Sequence, residues 1–215
     1  MHSGAVPLMD LCTHGSPSEE AARRLARMLT SDSPRLAVSG GSALTVLPLL
    51  RVLMGPAHAA LRLTYADERA VPFESDQSNA GATRTFVSGV RDELRLYRDG
   101  ESLEQAQVRA SRAFDERFGG LDAVLLGLGA DGHIASHFTG VDVEPTDVPV
   151  QLVRDSPKPP RERLTLSMDV LAATEAVIFA TGEGKRAAIE AALGGGTTLP
   201  TARLKRCTIV TDLAI

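Results

Sequence analysis

The chain has 215 residues, of which 43% are hydrophobic, so it is long enough to bury a substantial core. Its formal net charge of −4 excludes a strongly basic surface, and we expect neither nucleic acid nor an anionic membrane as a partner. Chains of this length often fold as one α/β unit, so we expect a single domain over residues 1–215.

The cysteines and the chain start indicate a cytoplasmic protein. Cys12 and Cys207 lie at opposite ends of the sequence, without a C-x-x-C pattern or neighbouring histidines, which argues against a disulfide framework, a zinc site or a redox pair. The first residues show no basic start followed by an apolar stretch, and no uninterrupted apolar run of 18 residues occurs. We therefore expect no membrane-spanning segment.

Apolar or alternating stretches typical of strands recur along the chain. They occur at residues 36–38, 61–65, 94–97, 122–126, 150–153, 164–166, 176–180 and 207–210. Helical patterns occur at 21–29, 43–54, 103–118, 170–174 and 184–193. We expect the first helix to begin near Ser16 and Pro17, and Pro48 to kink or end the second. Residues 137–149 have the composition of a loop and are expected to form a mobile rim.

Strands that alternate with helices predict an α/β fold. The expected architecture is a single-domain, doubly wound and mostly parallel sheet with helices on both faces, similar to a Rossmann fold. Open sheets of this kind bind ligands at the carboxyl ends of their strands. Polar residues that directly follow a predicted strand are therefore the candidates for a site.

The stretch after the strand at 122–126 is the strongest candidate. A stretch with three glycines contains Asp131 and ends at His133, and a neutral imidazole there could act as a general base because its ordinary pKa lies near neutral pH. Residues 127–132 also match G-x-G-x-x-G, with Asp155 where a ribose-binding acid would be expected. Because Gly140 and Pro145 leave no room for the required helix, we reject a dinucleotide site.

Two further loops follow predicted strands. Residues 39–42 (SGGS) could present backbone N–H groups to an anion at a helix start, although a tight turn that binds nothing has the same pattern. In the second loop, Arg69 could hold a carboxylate or phosphate while Asp67 positions the arginine or a hydroxyl. An exposed charged turn is the alternative there.

The other histidines do not suggest a metal site. His133 and His137 lie four residues apart but lack a third ligand nearby, so we expect no metal. His2, His14 and His58 have no chemically suggestive neighbours in the sequence and are predicted to lie on the surface.

Taken in order, these segments resemble the 6-phosphogluconolactonase family of the glucosamine/galactosamine-6-phosphate isomerase superfamily, whose fold is related to that of glucosamine-6-phosphate deaminase. The matching segments are SGGS at 39–42, DERAVP at 67–72 with SN at 78–79, GLGADGHIAS at 127–136, PKPPRERLTL at 157–166 and TGEGK at 181–185. Five ordered matches cover most of the chain.

The chain also departs from the family pattern. After the motif serine, family members usually continue L-F-P-G, whereas this chain has His137 and Thr139 in place of Leu and Pro. The related deaminases carry D-E-Y and a glutamate five residues after the motif histidine, where this chain has Arg69 and Phe138. The missing acid favours the lactonase over the deaminase.

The resemblance implies hydrolysis of 6-phospho-D-glucono-1,5-lactone to 6-phospho-D-gluconate, in the oxidative pentose phosphate pathway, without metal or organic cofactor. His133 would activate water, Arg69 would stabilise negative charge, and either Asp67 or Asp131 would orient the imidazole or a sugar hydroxyl. The implied substrate-binding residues are Gly40, Gly41, Ser42, Asn79, Lys158, Arg163 and Lys185.

Two alternatives remain open. The chain could be a deaminase or isomerase of a sugar phosphate, or a non-catalytic sugar-phosphate sensor related to the effector-binding domains of bacterial regulators. Such regulators carry a helix-turn-helix before the sensor, and the 35 residues before the first predicted strand are too few and insufficiently basic for one. The oligomeric state is not predicted.

Overall fold

The computed structural model describes residues 8–141, 147–195 and 198–215. The strands are β1 (Leu8–Thr13), β2 (Arg35–Val38), β3 (Arg62–Tyr65), β4 (Asp67–Arg69), β5 (Asp92–Leu94), β6 (Ala123–Gly127), β7 (Val150–Val153), β8 (Arg163–Leu166), β9 (Ala176–Phe179) and β10 (Arg206–Thr211). The α-helices are α1 (Pro17–Met28), α2 (Leu47–Met54), α3 (Asn79–Ala82), α4 (Arg84–Val87), α5 (Leu103–Arg117), α6 (Met168–Ala172) and α7 (Arg186–Leu193). Short 3-10 helices span Gly41–Val46, Gly55–Ala60, Glu183–Lys185 and Pro200–Arg203.

The main sheet is parallel and doubly wound. Its strand order within the described residues is β1-β10-β9-β6-β2-β3-β5. The chain runs outward from β2 through β3 to β5, then returns to the other side of β2 with β6 and runs outward again through β9 and β10. This confirms the predicted mostly parallel α/β fold, and it places the switch in winding direction between β2 and β6.

The central strands of this sheet are apolar because helices cover both of its faces. The first four residues of β6 and all four of β9 are buried, as expected for strands covered on both faces. Helix α1 begins after Ser16 with Pro17 in its first turn, as predicted. Helix α5 begins with a capping box formed by Ser102 and Gln105.

A second sheet was not predicted. Strands β4, β8 and β7 form a small antiparallel sheet in which Asp67 pairs with Thr165 and Arg69 pairs with Arg163. The segment that begins at Asp67 was expected to be a loop. It is a strand because its backbone pairs with β8. Three consecutive charged residues do not predict such a tertiary contact.

Three local predictions need correction. The strand expected at 94–97 is β5, Asp92–Leu94, and it ends where the sequence pattern began. Pro48 neither kinks nor ends a helix; it lies in the first turn of α2, where its missing N–H costs no hydrogen bond. His58 is buried at 5% exposure and packs edge-on against Phe86, so it is not a surface residue.

One apolar stretch is of membrane-spanning length, although the sequence analysis predicted no such segment. Gly41–Ala60 is long and apolar enough to cross a membrane by length and composition alone, with a mean hydropathy of 1.4. In the structure it consists of three short helices in succession, and Val46, Leu47 and Leu50 are buried in the hydrophobic core. The predicted rim at 137–149 lies partly outside the described residues.

Candidate active site

The loops that follow β2 and β6 meet at the point where the winding direction changes. They border a cavity of about 280 Å³ together with residues from β4, β8 and two further loops. Most of the predicted site residues line this cavity: Gly40, Gly41, Ser42, Asp67, Arg69, His133, Lys158, Arg163 and Lys185. Asp131 and Asn79 do not line the cavity but contact residues that do: Asp131 contacts His133, and Asn79 contacts Asp67.

His133 forms a pair with Asp131. Nδ1 of the imidazole lies 2.5 Å from Oδ1 of Asp131, and the imidazole is only 18% exposed. A carboxylate can only accept, so Nδ1 carries the hydrogen and Nε2 is the basic nitrogen. Between Asp67 and Asp131, which the sequence could not separate, the geometry therefore favours Asp131 as the residue that orients the imidazole.

Glycine is required beside this pair. A Cβ atom on Gly129 would overlap both the imidazole of His133 and the carboxylate of Asp131. Gly132 has a φ of +82°, and a Cβ there would also crowd Leu199. The glycines of this loop thus make room for neighbouring side chains of the protein. Their spacing therefore does not indicate a nucleotide-binding motif.

The environment keeps the imidazole neutral and the carboxylate ionised. Burial lowers the pKa of His133 from its ordinary 6.5, against the opposing attraction of Asp131. Burial alone would raise the pKa of Asp131, but hydrogen bonds from His133 and Lys158 outweigh it and lower that pKa to about 2. At neutral pH the pair is therefore a neutral base beside a fixed negative charge.

A second carboxylate, Asp67, lies at the centre of a buried polar network. Its Oδ2 accepts a hydrogen bond of 2.7 Å from Ser136, and the guanidinium groups of Arg163 and Arg69 lie 3.8 Å and 4.0 Å away. Asp67 is 3% exposed. These partners satisfy the buried carboxylate, which can hold Arg69 at the cavity wall.

Asn79 supports this network from behind. Its Nδ2 donates to the backbone oxygen of Asp67 at 2.8 Å, and its side chain fills the space where a Cβ on Gly40 would lie. The nearby carboxylate of Glu68 accepts backbone hydrogen bonds from Arg69, Asn79 and Ala80. Asn79, at 2% exposure, therefore braces Asp67, and the substrate contact that the resemblance implied stays a prediction.

Lys158 and Arg163 come from the same proline-rich segment. Arg163 is buried and donates to the backbone oxygens of Lys158, Pro159 and Pro160 at 2.9–3.2 Å. Its guanidinium also lies 5.6 Å from the ring centre of Phe138. Arg163 therefore shapes the loop that carries Lys158 as well as facing the cavity.

Lys185 borders the same cavity from a different loop. It follows Gly182, whose φ of +85° forms the turn before the 3-10 helix Glu183–Lys185. Burial lowers the pKa of Lys185, and the positive charge of Lys158 lowers it further, against a weaker opposing attraction from Asp131. Two ammonium groups near one cavity favour an anionic ligand.

His137 has a structural role. It is 6% exposed, and its Nε2 donates to the backbone oxygen of Leu166 at 2.9 Å. Within the described residues, no group of three or more His, Cys, Asp or Glu side chains could hold a metal ion. His137 thus fixes the motif segment onto β8.

Two contributors were not singled out from the sequence. Ser136 carries the hydrogen bond to Asp67, and Ala135 lines the cavity with a φ of +49°, which is unusual for a residue other than glycine. They lie two and three residues after His133 in the motif. Only the tertiary partner on β4 distinguishes Ser136 from an ordinary loop serine.

Sequence comparison relates the chain to known proteins. The family model described as glucosamine-6-phosphate isomerases/6-phosphogluconolactonase matches residues 16–212. A 6-phosphogluconolactonase from rat is 36% identical over 193 residues, covering 81% of this chain and 75% of that protein.

Solved structures share the fold. The crystal structure of 6-phosphogluconolactonase from Thermotoga maritima superimposes with a TM-score of 0.80 at 22% identity, covering 95% of this chain and 98% of that chain. A monomeric glucosamine-6-phosphate deaminase gives a TM-score of 0.79 at 18% identity, covering 95% and 96%. At these identities the structures establish the common architecture alone.

Proposed function

Because the chain belongs to the family of glucosamine-6-phosphate isomerases and 6-phosphogluconolactonases, we propose that its site hydrolyses 6-phospho-D-glucono-1,5-lactone to 6-phospho-D-gluconate. The protein is an enzyme that hydrolyses a phosphorylated sugar lactone, a step of the pentose phosphate pathway. We place it in the cytoplasm, as a single domain over residues 1–215 that works without a metal or organic cofactor.

One observation carries the proposal. A neutral imidazole oriented by a carboxylate borders the same cavity as Lys185 and the glycine turn at residues 39–42. Ester hydrolysis needs a base beside the carbonyl, and a phosphorylated substrate needs cationic and N–H donors at its other end. Both requirements meet in one cavity at the switch point of the sheet.

The proposed reaction begins with water. Nε2 of His133 removes a proton from the water as its oxygen bonds to the lactone carbonyl carbon, and negative charge develops on the carbonyl oxygen. Arg69, held near Asp67, is the candidate group to stabilise that charge. When the bond between the carbonyl carbon and the ring oxygen breaks, His133 returns the proton to the ring oxygen and the acid product forms.

The remaining residues bind the substrate. Backbone N–H groups of Gly40, Gly41 and Ser42 and the ammonium of Lys185 are proposed to hold the phosphate. Arg163 completes the cationic wall. Its contacts to three backbone oxygens keep that wall in place before substrate arrives.

The deciding experiment measures two reactions with one preparation. The purified protein is assayed for acid release from 6-phospho-D-glucono-1,5-lactone in a pH-stat, and for ammonia release from glucosamine 6-phosphate. The proposal predicts the first activity, its near loss in His133→Ala, and no ammonia release. Ammonia release without lactone hydrolysis would identify a deaminase, and tight binding of 6-phosphogluconate with neither activity would identify a sensor.

A further inference from the structure

Lys158 approaches the catalytic pair from the carboxylate side. Its Nζ lies 3.0 Å from Oδ2 and 3.1 Å from Oδ1 of Asp131. The same atom lies 3.3 Å from Nδ1 of His133. Because Nδ1 donates its hydrogen to Asp131, the contact between ammonium and imidazole is electrostatic, and the hydrogen bonds of Lys158 go to the carboxylate.

The loop is built to hold Lys158 in this place. The backbone oxygen of Lys158 accepts hydrogen bonds from Arg163 Nη2 at 2.9 Å and from Ser156 Oγ at 2.8 Å, and its backbone N–H donates to Ser156 Oγ at 3.2 Å. The side chain of Arg163 is only 4% exposed. Lys158 therefore starts from a fixed backbone, unlike a lysine on a solvated loop.

Lys185 differs in this respect. Across the described ranges, no carboxylate oxygen lies within 4.0 Å of its Nζ, although the side chain borders the same cavity. A phosphate that bound Lys158 would compete with both oxygens of Asp131. The same phosphate at Lys185 would displace no ion pair.

We propose that Lys158 is a positioning residue that holds Asp131 against His133 and balances its charge, whereas Lys185 is the lysine that binds the substrate phosphate. This assignment rests on the lactonase function proposed above. It divides two lysines that the family resemblance groups together as substrate ligands.

The division has a consequence for pH dependence. The charged groups that face the imidazole are Asp131 on its own loop, Lys158 on the proline-rich segment and Asp67 on β4. Asp67 keeps Arg69 and Arg163 as its partners, but loss of the Lys158 charge leaves Asp131 without its cation and so favours the protonated imidazole. The acid limb of kcat/KM should then move to higher pH by about half a unit to one unit.

The test compares Lys158→Met, Lys158→Arg and Lys185→Met on two substrates, the phosphorylated lactone and unphosphorylated D-glucono-1,5-lactone. Lys158→Met should shift the acid limb upward on both substrates with a KM change below about threefold, and Lys158→Arg should restore the wild-type limb. Lys185→Met should raise KM about tenfold or more on the phosphorylated lactone alone, with an unchanged acid limb. A defect of Lys158→Met that vanishes with the unphosphorylated lactone, or an unshifted limb, would overturn the proposal.

A measurement without substrate separates this proposal from the proposed function. The imidazole of His133 is titrated by NMR in the wild type and in Lys158→Met, with folding of both checked by circular dichroism. The pKa of His133 should be higher in the variant, whether or not the lactone is hydrolysed. Equal titration curves in the two folded proteins would reject the role of Lys158 even if the enzyme is a lactonase.

Discussion

Ser136 and Asp67, 69 positions apart in the chain, are joined by a hydrogen bond of 2.7 Å between the serine hydroxyl and Oδ2 of the carboxylate. This bond connects β4 of the small sheet with the segment that carries His133. Both side chains are buried, at 0% and 3% exposure. The two motif loops that bring charge and base to the cavity are thus fixed to each other and do not depend on the main sheet alone.

Ser136→Ala should therefore weaken both folding and catalysis. The variant leaves a buried carboxylate without its nearest donor, which costs about 1–3 kcal/mol of unfolding free energy. Urea unfolding measures this loss, and kcat should fall with it because Asp67 and the His133 segment shift. Ser18→Ala is the matched control: Ser18 lies on the surface of α1, and a change below about 0.5 kcal/mol is expected there. Equal effects of the two substitutions would contradict the role of this bond.

His133→Ala should retain the fold and lose turnover. We expect kcat on the phosphorylated lactone to fall by about 10²- to 10⁴-fold, the usual loss for a missing general base. In the wild type, kcat/KM should decrease as pH falls through the pKa of His133, which burial places below 6.5. His14→Ala, a partly buried histidine outside the cavity, is the control. Near-normal turnover of His133→Ala would remove the imidazole from the reaction.

Local sequence patterns predicted the main sheet because its strands carry their own signal. The buried runs of β6 and β9 are apolar without interruption, and glycine turns follow β2 and β6. Strand β4 lacked such a signal, since charged residues pair there only because β8 lies alongside. Strand β1 lies at the edge of the sheet, and its partly exposed residues gave no apolar run.

The site shows the same division between local and tertiary information. Motif order located His133 and the cationic residues, because each follows a strand end or lies in a matched segment. The partners of these residues could be read only from tertiary contacts. Asp131 is hydrogen-bonded to His133, Ser136 is hydrogen-bonded to Asp67, and Asn79 packs against Gly40. The burial of His58 was missed because its neighbour Phe86 is distant in sequence.

Gly40→Ala should impair the cavity through Asn79. A Cβ at this position would overlap the amide of Asn79, which braces the backbone of Asp67. Because the Asn79 side chain is buried and hydrogen-bonded, we expect a loss of about 1–3 kcal/mol in unfolding free energy together with reduced kcat/KM. Gly15→Ala, where no atom lies within 4 Å of the added Cβ, should leave both unchanged. Thermal unfolding and the lactone assay measure the two effects, and an active, stable Gly40→Ala would show that Asn79 is free to move.

His137→Leu tests the pH dependence of stability. Burial lowers the pKa of His137 from 6.5, so below that pH the unfolded chain binds more protons than the native protein. Native stability is thus fully present above about pH 6.5 and is lost as pH falls further. The leucine variant loses the hydrogen bond to Leu166, worth about 1 kcal/mol at pH 7.5, but it should lose less stability between pH 7.5 and 5 than the wild type.

Some acid sensitivity should persist in the leucine variant, because burial also lowers the pKa values of His58 and His133. Urea unfolding at the two pH values measures the slope, and parallel curves for the two proteins would show that His137 does not contribute to acid sensitivity.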